Sequence, residues 1–249
     1  MVAEPPSRMG VAGSRRAAVA LSPLMRQARR VRKRMLLLPE PLGERSGLEG
    51  AADGTGLLRL LVIGDSTAAG VGMTYMRDAL PPQLAAILAT RRGRIVEWTV
   101  SARTGATASV TAEELVPVAP LEQDIGLVLV GVNDVLKMTP RQTWRASMDR
   151  LVDALQEHLR PGGQIVLAGL PNLWQFRAFP QPLRAVLGWR GRALDREVRQ
   201  IAKRRLGVMH VAMPPASWPV MFAEDGFHPN AAAYRALAGH FAAALTAHG

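Results

Sequence analysis

Leu57-Leu58-Arg59-Leu60-Leu61-Val62-Ile63-Gly64-Asp65-Ser66-Thr67-Ala68-Ala69-Gly70, residues 57–70, is the stretch on which the fold turns. A nearly continuous apolar run of strand length breaks at Gly64 and gives way to a short polar turn rich in small residues. Such a run suits a strand buried on both faces, and the turn suits the entry to a helix. A Ser placed there has its hydroxyl exposed at the strand's carboxyl end, and its backbone N–H is free to meet a developing anion. Taken alone, Ser66 reads equally well as a helix N-cap, the usual role of a Ser in this place.

Downstream of residue 57 the pattern repeats. Apolar runs at 95–100, 125–131, 164–170 and 207–213 join 57–64 as expected strands, and amphipathic stretches at 76–91, 140–159, 184–205 and 230–247 are expected helices. Apolar strands alternating with helices predict an α/β fold with a parallel sheet covered on both faces. Ligands of such sheets bind beyond the carboxyl ends of the strands, so the residues that follow each strand carry the functional reading.

Three of those positions hold chemistry. After the second expected strand comes Gly105, whose N–H can approach a ligand closely for want of a side chain. After the third comes Gly131-Val132-Asn133-Asp134, where the Asn133 amide can donate to a tetrahedral intermediate. Near the end, Asp225-Gly226-Phe227-His228-Pro229-Asn230 precedes an Ala-rich helix. The three-residue spacing lets Asp225 orient the His228 imidazole while the other ring nitrogen faces Ser66. Asn133 also has a plain reading as a turn residue. His158, His210, His240 and His248 are read as ordinary surface or core residues.

These blocks, Gly64-Asp65-Ser66, Gly105, Gly131-Val132-Asn133-Asp134 and Asp225-Gly226-Phe227-His228, resemble in order and spacing the four blocks of the SGNH (GDSL-type) hydrolase family. The resemblance spans roughly residues 57–247. It implies a three-layer α/β/α sandwich with a five-stranded parallel sheet, flavodoxin-like in its layering. It also implies Ser66 as nucleophile, His228 as base with Asp225 as its orienter, an oxyanion hole of Ser66, Gly105 and Asn133, and no cofactor or metal. Two departures are visible. Thr67 stands where many members have Leu, and Val100-Ser101-Ala102-Arg103-Thr104 lacks the Asn that often precedes the glycine of the second block.

Composition narrows the chemistry further. With no Cys among 249 residues, disulfides, thiolate metal sites and cysteine nucleophiles are excluded. The formal charge of +11 is concentrated at the start, where residues 1–50 carry ten Lys/Arg against four Glu. No stacking aromatics or nucleic-acid motif accompany that charge, so nucleic acid is not expected and a membrane surface is the better partner.

Ser22-Pro23 opens and Pro39 closes an expected amphipathic basic helix over 22–38. Its apolar stripe reads either as a membrane-surface anchor or as packing on the domain, the second being the more usual use. Together with a Gly-rich linker near 43–56 it sets off a basic N-terminal segment, 1–56, from a hydrolase domain, 57–249. The stretch after Arg15-Arg16 is read as uncleaved, which places the chain in the cytoplasm or at the inner face of the membrane with export left open.

The expected substrate is a small-molecule ester. An acyltransferase or carbohydrate deacetylase would use the same residues. A flavin- or phosphate-binding flavodoxin-like domain would read Arg103-Thr104-Gly105-Ala106-Thr107 as a phosphate loop but leaves Asp225 and His228 unexplained, and a membrane-associated scaffold led by the basic helix has no use for them either. No GxSxG surrounds Ser66, against the unrelated α/β-hydrolase architecture. Trp174, Phe176, Phe179 and Trp189 follow the fourth strand and read either as the wall of an acyl pocket or a lid, or equally as loop packing.

Overall fold

The computed structural model describes residues 26–28, 30–31, 38–51, 54–214 and 221–247. Its centre is a six-stranded sheet of order β1-β3-β2-β4-β5-β6, formed by β1 (Ser46–Glu49), β2 (Leu57–Gly64), β3 (Ile95–Ala102), β4 (Gln123–Leu129), β5 (Leu159–Ala168) and β6 (Val208–Val211). Strands β2 to β6 are mutually parallel, and β1 runs antiparallel along β3. The expected five-stranded parallel sheet is therefore corrected to six strands, with an antiparallel strand lying inside the expected linker. The physical reason is plain: Ser46-Gly47-Leu48-Glu49 is an edge strand whose alternate residues are exposed, so the pairing is carried by its backbone and leaves no apolar run to read.

Pleating sends alternate side chains of β2 to opposite faces. Leu58, Leu60 and Val62 join one apolar core and Leu61 and Ile63 the other, all of them essentially without solvent contact. Full burial of each such side chain stabilises the fold by roughly 1.5–3 kcal/mol. Over the first face pack helices α1 (Leu80–Arg92) and α4 (Ala231–Ala247), and over the second α2 (Arg141–Gln156) and α3 (Leu183–Arg204). Three layers result, helices on a sheet on helices. Helix α2 shows the sequence logic: Trp144, Met148, Leu151, Val152 and Leu155, at spacings of three and four, are its buried apolar face, and the Trp144 indole N–H reaches the Leu194 carbonyl of α3 at 3.3 Å.

The parallel register lines up the carboxyl ends of the central strands. Gly64 of β2 lies opposite Ala102 of β3 on one side and Leu129 of β4 on the other, so the turns that follow all three strands emerge at one edge. The chain order reverses across β2, with β3 to one side and β4 to the other, and that reversal opens a crevice there. Gly64 is required at this point. Its φ is +144°, and a Cβ would stand 1.9 Å from the Leu129 carbonyl oxygen, which accepts the Asp65 N–H at 2.9 Å.

Of the helix expected over 22–38, residues 26–28 and 30–31 are helical, Leu38 is not, and the rest lies outside the described residues. Val31 packs against the apolar cluster of the second face, and the Gln27 side chain donates to the Gln181 carbonyl at 2.8 Å. Among the described residues no helix is long and apolar enough to cross a membrane.

Candidate active site

Ser66 opens a single helical turn, Ser66–Ala69, capped by the Asp65 carboxylate, whose Oδ1 accepts the Thr67 N–H at 3.0 Å. The turn ends at Gly70 in the left-handed conformation, and the Val71 N–H closes back on the Ser66 carbonyl at 3.0 Å. The Ser66 N–H, first in this turn, has no acceptor among the described residues. Asp65 is deeply buried. Burial raises its carboxyl pKa from 3.8 to about 7, with the neighbouring Asp134 adding to the rise and the Thr67 N–H opposing it.

From the other end of the chain, His228 Nε2 stands 3.0 Å from Ser66 Oγ, and His228 Nδ1 lies 2.5 Å from Asp225 Oδ2. The other Asp225 oxygen accepts the backbone N–H groups of Phe227 and His228, each at 2.9 Å. A buried carboxylate thus shapes the turn and holds the ring with the same three-residue loop. The turn that carries Ser66 is tied to α4 as well. Tyr234, at the start of α4, donates its hydroxyl to the Val71 carbonyl at 2.7 Å, beside the turn that carries Ser66. Burial holds the Tyr234 hydroxyl well above its ordinary pKa, so it stays a donor.

Asn133 lies in a short helix after β4 and lines the same cleft as Ser66 and His228. Its amide donates one hydrogen to the Ala106 carbonyl at 3.1 Å, and a side-chain amide has a second to give. Gly105 sits in the turn 103–106 after β3 with φ of +82°, a backbone conformation suited to glycine, although a Cβ there would meet nothing. Within that turn the Arg103 N–H bonds Gly64 O at 3.1 Å, the Thr104 N–H bonds Glu40 Oε1 at 2.9 Å and the Ala106 N–H bonds Arg103 O at 3.1 Å. The Gly105 N–H alone of the four has no acceptor among the described residues. The structure therefore brings Ser66, His228 and Asn133 to one cleft, with Asp225 buried behind His228 and Gly105 in the turn tied to the Asn133 amide.

Sequence reasoning missed the buttresses. The buried Asp134 accepts the Ala108 N–H at 3.0 Å, joining the Asn133 loop to the segment after Gly105, and its carboxyl is raised, chiefly by burial. Lys137 Nζ donates to the Gly105 carbonyl at 3.2 Å. Glu40 fills the Thr104 N–H that the phosphate-loop reading would have left for a ligand. Of the four aromatics read as pocket wall, lid or loop packing, Phe176 lines the cleft while Phe179 is buried behind it. Trp174 and Trp189 pack edge to face on each other, with Trp189 largely exposed. Phe222 and Phe227, which sequence reasoning did not single out for the pocket, complete the apolar wall with Phe176, their rings 5.1 and 5.6 Å from it. Only their neighbourhood to His228 in the sequence hinted at this.

The other histidines stay apart. His158 meets the Ala154 carbonyl, His240 the Ala212 carbonyl and His210 the Asp195 carboxylate, while His248 lies outside the described residues. No three His, Asp or Glu side chains among the described residues converge as a metal site requires.

The model of the GDSL-like lipase/acylhydrolase family matches residues 62–236. A GDSL-like esterase from Mycobacterium tuberculosis is 30% identical over 186 residues, covering 71% of this chain but 58% of that protein, so the chain aligns with less than two thirds of its relative. Among solved structures, TesA superposes with a TM-score of 0.58 at 21% identity, over 75% of this chain and 97% of that one. A carbohydrate acetylesterase family member from Sinorhizobium meliloti gives 0.56 at 20% identity, over 76% and 97%. At such identities these structures show the common fold, while the family match takes in the Ser66, Asn133 and His228 turns together. The chain belongs to the GDSL-like lipase/acylhydrolase family.

Proposed function

We propose that the chain is a serine ester hydrolase working through an acyl-enzyme on Ser66. The observation that carries this reading is the relay Ser66 Oγ, His228 Nε2, His228 Nδ1, Asp225 Oδ2, with spacings of 3.0 and 2.5 Å. His228 takes the hydroxyl proton as Ser66 Oγ forms a bond to the ester carbonyl carbon. The oxyanion is met by the N–H groups of Ser66 and Gly105 and the Asn133 amide. When the carbonyl re-forms, the bond to the alkoxy oxygen breaks, and His228 passes the proton to that leaving group. Water then repeats the sequence on the acyl-enzyme, with His228 again as base, and releases the acid. Asp225 keeps the ring in the tautomer that presents a bare Nε2 to the serine.

The cleft wall favours an apolar acyl group. Phe176, Phe222, Phe227, Met213, Met221 and Val132 line it beside Ser66 and His228, with few polar groups between. The test is hydrolysis of p-nitrophenyl acetate, butyrate, octanoate and palmitate by the protein and by Ser66→Ala. Turnover lost in the variant supports the reading, and the preferred chain length sizes the cleft. A folded protein that cleaves none of the four overturns it and turns attention to acyl transfer or carbohydrate deacetylation on the same residues.

A further inference from the structure

The segment before β2 reaches the turn after β3 that carries Gly105. Glu40, outside the stretch matched by the family model, places Oε1 2.9 Å from the Thr104 N–H and 2.8 Å from the Thr104 hydroxyl. Its other oxygen pairs with the Arg45 guanidinium, and that guanidinium donates to the Ala102 carbonyl at 2.7 Å. The segment is itself fixed. The Leu42 N–H bonds Thr74 O at 3.0 Å, the Met76 N–H bonds Leu42 O at 2.8 Å and the Val100 N–H bonds Arg45 O at 2.7 Å, just before Ser46–Glu49 pairs with β3.

The turn 103–106 thus has its first N–H on β2, its second on Glu40 and its fourth on the turn itself, and its Gly105 and Ala106 carbonyls on Lys137 and Asn133. What remains is the Gly105 N–H. We propose that Glu40, braced by Arg45, is a positioning residue of the esterase: by holding Thr104 it sets the plane of the neighbouring peptide that aims the Gly105 N–H at the oxyanion. This rests on the serine-hydrolase reading above. It also accounts for the absence of the Asn that often precedes this glycine, because a carboxylate from outside the matched stretch supplies the turn's anchor.

A donor contributes to catalysis only where it meets the transition-state oxygen, and displacement by about 1 Å costs on the order of 100-fold. The experiment compares Glu40→Ala and Glu40→Gln with the wild type, using the full chain and p-nitrophenyl butyrate, with unfolding temperature and amide hydrogen exchange measured alongside. In Glu40→Ala, kcat falls about 10- to 100-fold with KM within about two-fold, the signature of an interaction made in the transition state. The unfolding temperature stays close to the wild-type value, since the Glu40–Arg45 pair is partly exposed, and exchange at Thr104 quickens. Glu40→Gln, which keeps an acceptor for Thr104, recovers most of kcat. A Glu40→Ala enzyme within two-fold of wild-type kcat, or one whose kcat falls only in step with its unfolding temperature, overturns the role of Glu40. A wild type without Ser66-dependent turnover overturns the hydrolase reading instead, and Thr104 exchange then still reports whether Glu40 holds the turn.

Discussion

Both oxygens of Asp225 are committed to His228: Oδ1 takes its backbone N–H at 2.9 Å while Oδ2 faces its ring Nδ1 at 2.5 Å. In Asp225→Asn the amide oxygen can keep the backbone bonds, but an NH2 group then faces Nδ1 and favours the tautomer that places a hydrogen on Nε2. That ring cannot accept the serine proton. The expected outcome is a normally folded protein whose kcat on p-nitrophenyl butyrate is lower by about 10³- to 10⁴-fold. Circular dichroism and steady-state kinetics on the same preparation check it.

Asn133 has two duties, one hydrogen to the Ala106 carbonyl and another available to the cleft. Asn133→Ala removes the donor and loosens the turn that holds Gly105. A fall in kcat of about 10²- to 10³-fold is expected, with a smaller change in KM. Steady-state kinetics over the ester series read both.

Asp65 makes stability depend on pH. Burial raises its carboxyl from 3.8 to about 7, so between those values the folded chain keeps a proton that the unfolded chain has released. Asp65's contribution is therefore full below the lower value, declines as pH rises through the window by at most about 1.4 kcal/mol per unit, and levels off above the upper one. Asp65→Asn fixes the neutral state, and its side-chain oxygen can still cap Thr67. Its unfolding temperature relative to the wild type should climb from pH 4.5 to pH 7.5. Thermal scans whose difference stays flat across that range refute the assignment.

Phe176 separates the cleft from the aromatic cluster behind it, its ring 6.1 Å from Phe179 in a stacked arrangement. Phe176→Ala opens the cleft toward that cluster. The ratio of kcat/KM for octanoate to that for acetate should rise by about tenfold, the lower end of what a single methylene is worth in an apolar pocket. A ratio unchanged from the wild type would place the acyl group elsewhere.

Much of this was legible in the sequence because each signal was local. The run 57–64 and its turn sit where the reading put them, and the helices over 140–159, 184–205 and 230–247 hold to within a few residues. Asp225 and His228 could be paired by spacing alone. What escaped notice was either backbone-borne or long-range. Ser46–Glu49 pairs through main-chain bonds that leave no hydrophobic trace, and Glu40 meets Thr104 across 64 residues. Trp174 and Trp189 looked like Phe176 in composition, and only packing tells a residue that lines the cleft from a pair that packs on each other at α3.

The His228 loop and α4 follow β6, with His228 162 positions after the serine it addresses. On the proposed mechanism, a growing polypeptide that has already laid down β2 to β6 carries a hydroxyl with no base beside it, and Tyr234 has yet to latch the turn at Val71. Hydrolysis is thereby deferred until α4 has docked against α1. On the same reading, a chain synthesised only as far as β6, or clipped before α4, would hold an intact but unreactive serine, so ester turnover in a cell extract would count chains completed through α4.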